Sequence, residues 1–439
     1  GIRDVLGSRG LGDVYMRQIW YTPVTGIWQT VWLEPVAAAH VTSVKSIPNI
    51  DNNTLNVTVG TSCNCNSGIV TVKVLDKGQV VATAKGVQGK ELRLSVQNPT
   101  LWSPSNPYLY DMTVSLSKDG KVLDEVKSYT AFRKISSKRD AAGIMRMQLN
   151  NQDLFQFGPL DQGWWPDGLY TAPTDEALKH DIELGKESGF NGARLHQKIF
   201  EERYYYWADK LGYITWGESP SWGSDVNNEL AVRNFISEWS ETVIRDRNHP
   251  SLVTWTPFNE TWGGGPDTYV RLIQDIYHIT KAIDPTRPIN DASGDNHVLT
   301  DIWSVHNYTQ EKDRLIDELK ITEGQEPYRN SRDKKYLAVY EGQPYMLDEF
   351  GGIPWMAATD RNNSWGYGGM PKDEEAFYQR LEGQIDALIA SKHVCGFCYT
   401  QLTDVEQEKN GVYYYDRRPK LDMKRIKAIF EKIPSRPAK

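Results

Sequence analysis

Cysteine is scarce in this chain of 439 residues, which contains only four. Four cysteines are too few for a disulfide framework, and Cys63 and Cys65 are too close in sequence for an easy mutual bridge on a strand. Cys395 and Cys398 have the spacing of a redox or zinc motif, but they lie in an apolar run with no second Cys or His pair nearby. We therefore predict that these two are buried structural thiols, and the redox compartment stays open.

Long apolar segments and an excess of positive charge are also missing. No stretch approaches the roughly 20 apolar residues of a membrane span, and Gly1 opens directly on charged sequence without a signal-like segment. The formal net charge of −7 leaves no basic stripe for nucleic acid and no polybasic anchor for a lipid surface. We expect neither partner. Any export signal has been removed or was never included, and we favour an extracytoplasmic location, periplasmic or secreted, although the sequence does not determine it.

Aromatic residues, in contrast, are abundant. The chain has 15 Trp and 23 Tyr, and aromatic faces stack on the apolar CH faces of sugars, although most aromatics in any protein are ordinary core and surface residues. The length suits about two to three domains, one of which could be a barrel of roughly 250 residues. The composition alone is therefore only suggestive of a carbohydrate partner.

The pattern of the chain changes near residue 140. Between about residues 18 and 135, short alternating runs such as 69–75 are separated by turn residues such as Asp76-Lys77-Gly78, which is typical of a β-sandwich. After that point, apolar strands alternate with helical stretches. We predict three parts: an N-terminal piece over 1–35, a sandwich over 36–136 and a barrel over 137–439.

The second half contains eight candidate strands. They are 154–160, 189–196, 212–218, 252–260, 288–294, 302–308, 345–350 and 394–402. Helical segments are predicted between most of them, including 174–188, 228–245, 267–283 and 373–391. Eight strands with intervening helices indicate a (β/α)8 TIM barrel, and the aromatic loops 161–173 and 356–371 would lie on its catalytic rim.

Two of the candidate strands end on a carboxylate. The run 252–260 finishes with Asn259-Glu260, and the run from Tyr345 reaches Asp348-Glu349. In a β/α barrel the functional side chains lie where strands end at the carboxyl face, so these carboxylates are in the expected position for chemistry. We interpret the pair as a catalytic acid and a catalytic nucleophile, which predicts glycoside hydrolysis.

Several longer motifs resemble the family 2 glycoside hydrolases, the group of β-galactosidases, β-glucuronidases and β-mannosidases. These motifs are Arg245-Asp246-Arg247-Asn248-His249-Pro250-Ser251 leading to Trp255 and Asn259-Glu260, Leu101-Trp102-Ser103-Pro104-Ser105-Asn106-Pro107-Tyr108-Leu109-Tyr110, and Asp161-Gln162-Gly163-Trp164-Trp165-Pro166-Asp167-Gly168. The resemblance implies a multidomain chain with an immunoglobulin-like β-sandwich followed by the barrel. Residues 26–32 look like the closing strands of the family's N-terminal sugar-binding jelly roll, and from this resemblance we expect most of that domain to be absent.

The resemblance also assigns roles to residues. It implies that Glu260 is the acid/base and Glu349 the nucleophile, and because adjacent strand residues point oppositely, we expect only one of Asp348 and Glu349 to face the cavity. Asn259 would bind the sugar 2-hydroxyl, Tyr308 would donate to the nucleophile, and Arg194 would brace it. The remaining predicted substrate contacts are His196, His306, Trp165, Trp262 and Glu218, of which Glu218 binds either hydroxyls or structural neighbours. A core Tyr at 308 and a structural salt bridge at Arg194 are the simpler alternatives.

These residues predict a retaining exo-β-glycosidase that needs no organic cofactor and no metal. Uronic-acid enzymes of the family carry an Asn-x-Lys element after the last strand, whereas this chain reads Glu408-Lys409-Asn410. A terminal β-linked hexose, with β-D-galactoside as the default, is therefore preferred. A β-glucuronidase, a β-mannosidase or a non-catalytic carbohydrate-binding protein are the alternatives, and the apolar stretch from Trp28 to Leu33 hints at homo-oligomers or at docking onto the barrel.

Overall fold

The computed structural model describes residues 21–62, 68–261, 266–294, 296–322, 325–329, 338–357, 360 and 363–433. Residues 21–40 form no strand, so the predicted closing strands of a jelly roll are not found in this segment. It runs along the barrel instead, where the Trp28 ring packs edge-on against Tyr170 at 4.6 Å and Gln29 donates to the Ile199 carbonyl. Leu33 is 98% exposed. The docking of Trp28 on the barrel agrees with one of the two expectations for this stretch.

A sandwich of two antiparallel sheets follows. One sheet has the order β1-β2-β5 and the other β4-β3-β6-β7. The strands are β1 (Val41–Asn49), β2 (Thr54–Thr61), β3 (Ile69–Asp76), β4 (Gln79–Val87), β5 (Glu91–Ser95), β6 (Tyr110–Lys118) and β7 (Lys121–Thr130). Alternate residues such as Val57, Val72 and Val114 are fully buried between the sheets, as the period-2 pattern requires. Lys77 and Gly78 both have positive φ at the β3–β4 turn, which is the geometry of a type I′ hairpin.

A small antiparallel sheet joins the sandwich to the barrel. It consists of β8 (Ile135–Arg139), β9 (Met145–Leu149) and β10 (Gln152–Asp153). Its apolar residues Ile135 and Met147 pack against Ile214 and Val253, near the start of two barrel strands. This sheet therefore closes the amino end of the barrel and leaves the carboxyl end for the site.

The barrel strands are parallel and occur in the predicted order. They are β11 (Gln156–Asp161), β12 (Gly192–Leu195), β13 (Ile214–Glu218), β14 (Leu252–Thr256), β15 (Phe258–Asn259), β16 (Ala292–Ser293), β17 (Trp303–Asn307), β18 (Tyr345–Gly351) and β19 (Val394–Thr400). Seven of them form one sheet in the order β14-β13-β12-β11-β19-β18-β17, and β15 pairs with β16. β15 continues the chain of β14, at one end of this sheet, and pairs with β16. The Asp301 amide, just before β17 at the other end, donates to the Ile289 carbonyl, just before β16. These contacts link the two ends of the sheet.

Helices separate most of the strands. They are α1 (Asp175–Glu187), α2 (Glu202–Leu211), α3 (Glu229–Asp246), α4 (Pro266–Ile283), α5 (Lys312–Glu318), α6 (Glu374–Ala390) and α7 (Met423–Phe430). Capping residues begin the first and last of the predicted helical segments, since the Thr174 hydroxyl accepts from the Ala177 amide and Asp373 accepts from the Ala376 amide. None of the helices in the described ranges is both long enough and apolar enough to cross a bilayer. Cys395 and Cys398 in β19 are buried free thiols, as predicted.

Candidate active site

Glu260 and Glu349 meet at the carboxyl end of the barrel. Glu260 directly follows β15, and Glu349 lies in β18. One oxygen of each carboxylate and one nitrogen of His306 all lie within 4.8 Å of one another. Retaining glycosidases hold their two carboxyl groups about 5 to 5.5 Å apart, whereas inverting enzymes need about 6.5 to 9.5 Å to fit a water. The closest oxygens of Glu260 and Glu349 are therefore nearer to each other than the separation that inverting enzymes use.

The same three side chains offer ligand types that divalent cations accept. However, the His306 Nδ1 atom lies 2.6 Å from Glu260 Oε1, which is the distance of a direct hydrogen bond. Two atoms bound to one tetrahedral zinc would be separated by about 3.3 Å. The geometry in the structure is therefore that of a hydrogen-bonded triad.

Glu349 is held by two donors on opposite oxygens. Arg194 donates from Nη1 to Oε1 at 3.0 Å, and the Tyr308 hydroxyl donates to Oε2 at 2.5 Å. Burial acts against the charge on Arg194, but Glu218 and Glu349 outweigh it and raise the Arg194 pKa well above its ordinary value. A permanent cation and a hydroxyl donor thus hold the two oxygens of Glu349 in place.

Arg194 is itself oriented by a second carboxylate. Its Nε donates to Glu218 Oε2 at 2.7 Å, and His196 Nδ1 lies 3.1 Å from Glu218 Oε1. Glu218 is 1% exposed. Burial would raise the Glu218 pKa, but Arg194 and His196 lower it to about 2. Glu218 therefore contacts structural neighbours, which was one of its two predicted roles.

Asn259 presents a buried amide to the site. Its Oδ1 accepts from Arg194 Nη2 at 2.6 Å, and its backbone is fixed by Ser221 Oγ and by the indole N–H of Trp222. Its Nδ2 group is buried and makes no hydrogen bond to any residue in the described parts of the chain. A buried donor without an acceptor is costly, so this amide is suited to a ligand oxygen.

His306 connects the two catalytic candidates to the barrel interior. Its Nε2 lies 2.8 Å from Ser293 Oγ and 3.5 Å from Asp348 Oδ1. Burial lowers the His306 pKa, but Glu349 and Glu260 outweigh it and raise that pKa to about 9. Burial would raise the Glu260 pKa, but the charge of His306 and its hydrogen bond lower that pKa by more. The Glu260 pKa therefore lies below its usual value. At neutral pH the two form an ion pair.

This ion pair predicts a pH-dependent stability. The folded-state pKa of His306, about 9, lies above the ordinary histidine value of about 6.5, so the stabilisation is fully present below pH 6.5 and is lost as pH rises through 9. We expect its contribution to the free energy of unfolding to fall by about 3 kcal/mol over this window. Urea unfolding at pH 6, 7.5 and 9 measures it. The same series for His306→Gln should lack this component, and an unchanged pH dependence in that variant would contradict the assignment.

Asp348 also reaches the site, contrary to the expectation from strand alternation. The pairing of β18 with β19 shifts register between Leu347 and Phe350, and its pairing with β17 shifts at His306. Successive side chains no longer point to opposite faces of a strand where its register shifts, and His306 lies near both Asp348 and Glu349. Asp348 accepts from Asn290 and Ser293, whereas Glu349 contacts Arg194 and Tyr308.

The structure describes one of the two tryptophans that were predicted to contact the substrate. Trp165 is only 3% exposed, with Lys198 Nζ 5.0 Å and the Arg417 guanidinium 4.9 Å from its ring. Protein cations therefore lie against this buried ring, while its indole Nε1–H has no hydrogen-bond acceptor among the described residues, and the substrate contact of Trp165 stays a prediction. Trp262 lies outside the described residues.

Two aromatic residues near the site were not identified individually from the sequence. The Tyr367 ring stacks on Tyr308 at 3.5 Å and an interplanar angle of 4°, and Trp222 lies edge-on to His196 at 6.0 Å. Tyr367 belongs to the aromatic loop 356–371 that was predicted to lie on the rim. Trp222 follows β13, and its position after a barrel strand was the available signal.

A second polar network lies beyond β19. Gln162 Nε2 donates to Tyr21 Oη at 2.6 Å and to Gln401 Oε1 at 2.7 Å, and the Tyr21 hydroxyl donates to Glu408. Asn410 Nδ2 donates to the other oxygen of Glu408 at 3.0 Å. Burial raises the Glu408 pKa. The N-terminal segment thus contributes Tyr21 to a buried wall that also contains Glu408.

Known families match both halves of the chain. The model for the glycosyl hydrolases family 2 matches residues 39–133, and the model for the TIM barrel domain of glycosyl hydrolases family 2 matches residues 171–351. Together the two regions cover most of the sandwich and the barrel strands from β12 to β18.

Individual relatives carry two different names. A putative β-glucuronidase of Formosa agariphila is 26% identical over 278 residues, which are 60% of this chain and 33% of that protein. A β-galactosidase of Vibrio cholerae is 30% identical over 243 residues, 52% of this chain and 22% of that protein. A β-galactosidase of Oenococcus oeni is 28% identical and covers 76% of this chain and 32% of that protein. The chain thus spans a third or less of the length of these relatives.

Solved structures resemble the fold over a greater length. A β-glucuronidase from Ruminococcus gnavus in complex with D-glucuronic acid superposes with a TM-score of 0.73 at 21% identity, covering 90% of this chain and 68% of that one. A Lactobacillus rhamnosus β-glucuronidase gives a TM-score of 0.73 at 22% identity, covering 91% and 69%. The motifs, the sandwich, the barrel and both matched regions agree, and the chain belongs to glycosyl hydrolase family 2.

Proposed function

We propose that this protein is a retaining exo-β-glycosidase that hydrolyses a terminal β-linked hexose. The observation that carries the proposal is the approach of Glu260 and Glu349 to within 4.8 Å, with Arg194 and Tyr308 both donating to Glu349. Glu349 attacks the anomeric carbon, and Glu260 protonates the leaving oxygen and then activates water. The surrounding donors fix the orientation of Glu349, as attack requires.

Asn259 supports the same mechanism from the substrate side. Its Oδ1 is fixed by Arg194, so the amide orientation is set and Nδ2 is directed away from that contact. We propose that Nδ2 donates to the sugar 2-hydroxyl. Such a bond strengthens as the oxocarbenium-like transition state develops, and it satisfies a donor that is otherwise buried without an acceptor.

The wall beyond β19 supports a neutral sugar over a uronate. Asn410 and Glu408 are hydrogen-bonded to one another, whereas Lys409 lies close enough to Asp404 and Lys420 to affect their pKa values. In place of the lysine, this wall offers Glu408 and Asn410, and neither is a cation that could pair with the carboxylate of a uronic acid. We propose β-D-galactoside as the substrate.

β-Glucuronidase is the second candidate, because the Formosa relative and the similar solved structures carry that name. Initial rates on p-nitrophenyl β-D-galactoside, glucoside, mannoside and glucuronide distinguish the candidates, with Glu349→Gln as the control protein. We expect the galactoside to be preferred and its turnover to be lost in the control. Preferred turnover of the glucuronide or the mannoside would replace the proposed sugar. Binding of galactose without turnover of any substrate by folded protein would identify a carbohydrate-binding protein instead.

A further inference from the structure

The His306 ring is enclosed by acidic groups on both edges. Nδ1 lies 2.6 Å from Glu260 and 3.4 Å from Glu349. Nε2 is hydrogen-bonded to Ser293 Oγ and lies 3.5 Å from Asp348. The imidazole is 1% exposed. Proton exchange with solvent is therefore restricted, and the shortest path for a proton on Nδ1 leads to Glu260.

The backbone is arranged to allow this contact. Gly294 follows β16 with φ +92°, and a Cβ at this position would lie 2.9 Å from His306 ring atoms and 3.0 Å from Glu260 Cγ. These separations are too short for real contacts, so a larger residue would separate the imidazole from the carboxylate. Glu260 itself has φ +42°, a strained conformation for a residue other than glycine, and such strain is found at functional positions.

A general acid must carry a proton, but Glu260 lies beside the His306 imidazole. This ring, with three carboxylates around it, binds the proton more strongly than Glu260 does. We infer that His306 stores the proton that Glu260 delivers to the leaving group, and that the charge on Glu349 controls its release. This inference rests on the proposed glycosidase function. His306 would act through Glu260, as a positioning residue for the proton.

The proton and charge balance closes in both steps. In the first, the Glu349 oxygen forms a bond to the anomeric carbon and the bond to the leaving oxygen breaks, while Glu260 passes a proton to that oxygen and takes one from His306 Nδ1. Glu349 becomes a neutral ester as His306 becomes neutral. In the second, Glu260 takes a proton from water and returns it to Nδ1, the water oxygen attacks the anomeric carbon, and Glu349 leaves as a carboxylate.

The charge on Glu349 couples these events. Glu349, Glu260 and Asp348 all favour the imidazolium through their charges, with Glu349 exerting the largest single coulombic effect and Glu260 adding a hydrogen bond. Forming the ester removes the charge on Glu349, so the imidazolium loses this stabilisation when the proton must leave. The Nε2–H group can donate to Ser293 Oγ throughout, because the Ser293 hydroxyl donates its own proton to Asp348 Oδ2 at 2.6 Å. The ring therefore needs no reorientation between the two states.

The first test does not depend on turnover. Long-range ¹⁵N–¹H spectra of histidine-labelled protein report each imidazole, and His306→Gln identifies the His306 signal among the eight histidines. We expect His306 to titrate with a pKa near 9 in the wild-type protein. In Glu349→Gln, which mimics the uncharged ester, this value should fall below about 8. An unchanged titration in Glu349→Gln would overturn the control by Glu349, whatever the enzyme hydrolyses.

The second test uses leaving groups of different basicity. In His306→Gln, which retains a donor but cannot hold an extra proton, kcat/KM for a phenyl glycoside should fall about 100-fold, and for a 2,4-dinitrophenyl glycoside less than about tenfold. His249→Gln is the matched control, because His249 is also paired with an aspartate, with 12% of its side chain exposed, but lies before β14, at the opposite end of the barrel.

The outcomes separate the two proposals. Equal losses for both leaving groups in His306→Gln, with a wild-type ratio in His249→Gln, would overturn proton storage and leave a structural role for His306. Absence of turnover by the folded wild-type protein would overturn the proposed function. The titration of His306 in Glu349→Gln would still show whether the charge on Glu349 controls the proton on His306.

Discussion

Replacing Glu349 with Gln should reduce kcat/KM on the preferred aryl glycoside by about 10⁴- to 10⁶-fold, the range seen when a catalytic nucleophile is removed. The amide is nearly isosteric with the carboxylate, so Arg194 and Tyr308 lose their charged acceptor while the packing is kept. Without a carboxylate, no glycosyl ester forms. Initial rates with the purified variant, together with its thermal unfolding midpoint, measure the effect at constant fold.

Asp348→Asn is the matched comparison. It changes the neighbouring carboxylate, which contacts Asn290 and Ser293 rather than Tyr308. We expect it to retain far more activity than Glu349→Gln. A 2-deoxy-2-fluoro glycoside with a good leaving group should also label the wild-type protein, and peptide mass spectrometry should locate the label on Glu349. Labelling of Asp348, or equal losses in the two variants, would reverse the assignment.

Replacing Glu260 with Ala should produce a loss that depends on the leaving group. We expect kcat/KM to fall about 10²- to 10⁴-fold for a phenyl glycoside, the usual contribution of general acid–base catalysis, and much less for a 2,4-dinitrophenyl glycoside that departs without protonation. Hydrolysis of the glycosyl ester should become rate-limiting with the activated substrate, since no base remains to activate water. Azide, which needs no base, should restore turnover in the space left by the side chain.

The stereochemistry of the rescued product checks the roles of the two carboxylates. Glu260→Ala should give the β-glycosyl azide, because azide attacks the ester from the face on which water normally enters. Glu349→Ala should give the α-glycosyl azide, because azide then replaces the nucleophile itself. Exchange of these products between the two variants would show that the acid/base and the nucleophile had been assigned the wrong way round.

Much of the fold follows from periodicity alone. The change from alternating runs to strand–helix units near residue 140 predicts a sandwich followed by a barrel, and the structure contains both. The eight predicted strands all overlap observed strands, although the run 252–260 is divided into β14 and β15 and the run 288–294 is reduced to Ala292–Ser293. The jelly-roll strands were inferred from a short apolar motif, and residues 21–40 form no strand because this segment packs on the barrel through individual side chains such as Trp28.

The site was predictable where local sequence sets the position of a residue. Glu260 and Glu349 end apolar runs, and strand ends of a barrel converge at one face, so their approach follows from the pattern once the barrel is assumed. Trp165 shows the limit of this reasoning. Its position on a rim loop was assigned correctly, but its burial between Lys198 and Arg417 depends on residues that are distant in sequence.

The sequence by itself determined the order of strands and helices and the two carboxylates at the barrel mouth, because hydrophobic period and strand ends are local properties of the chain. Only the tertiary structure decided which groups surround those carboxylates. Tyr21 reaches Glu408 across 387 residues, and His306 faces Asp348 as well as Glu349 because the register of β18 is irregular at this point. Side-chain direction at an irregular strand and contacts between distant segments depend on how the whole chain packs, and no local pattern encodes them.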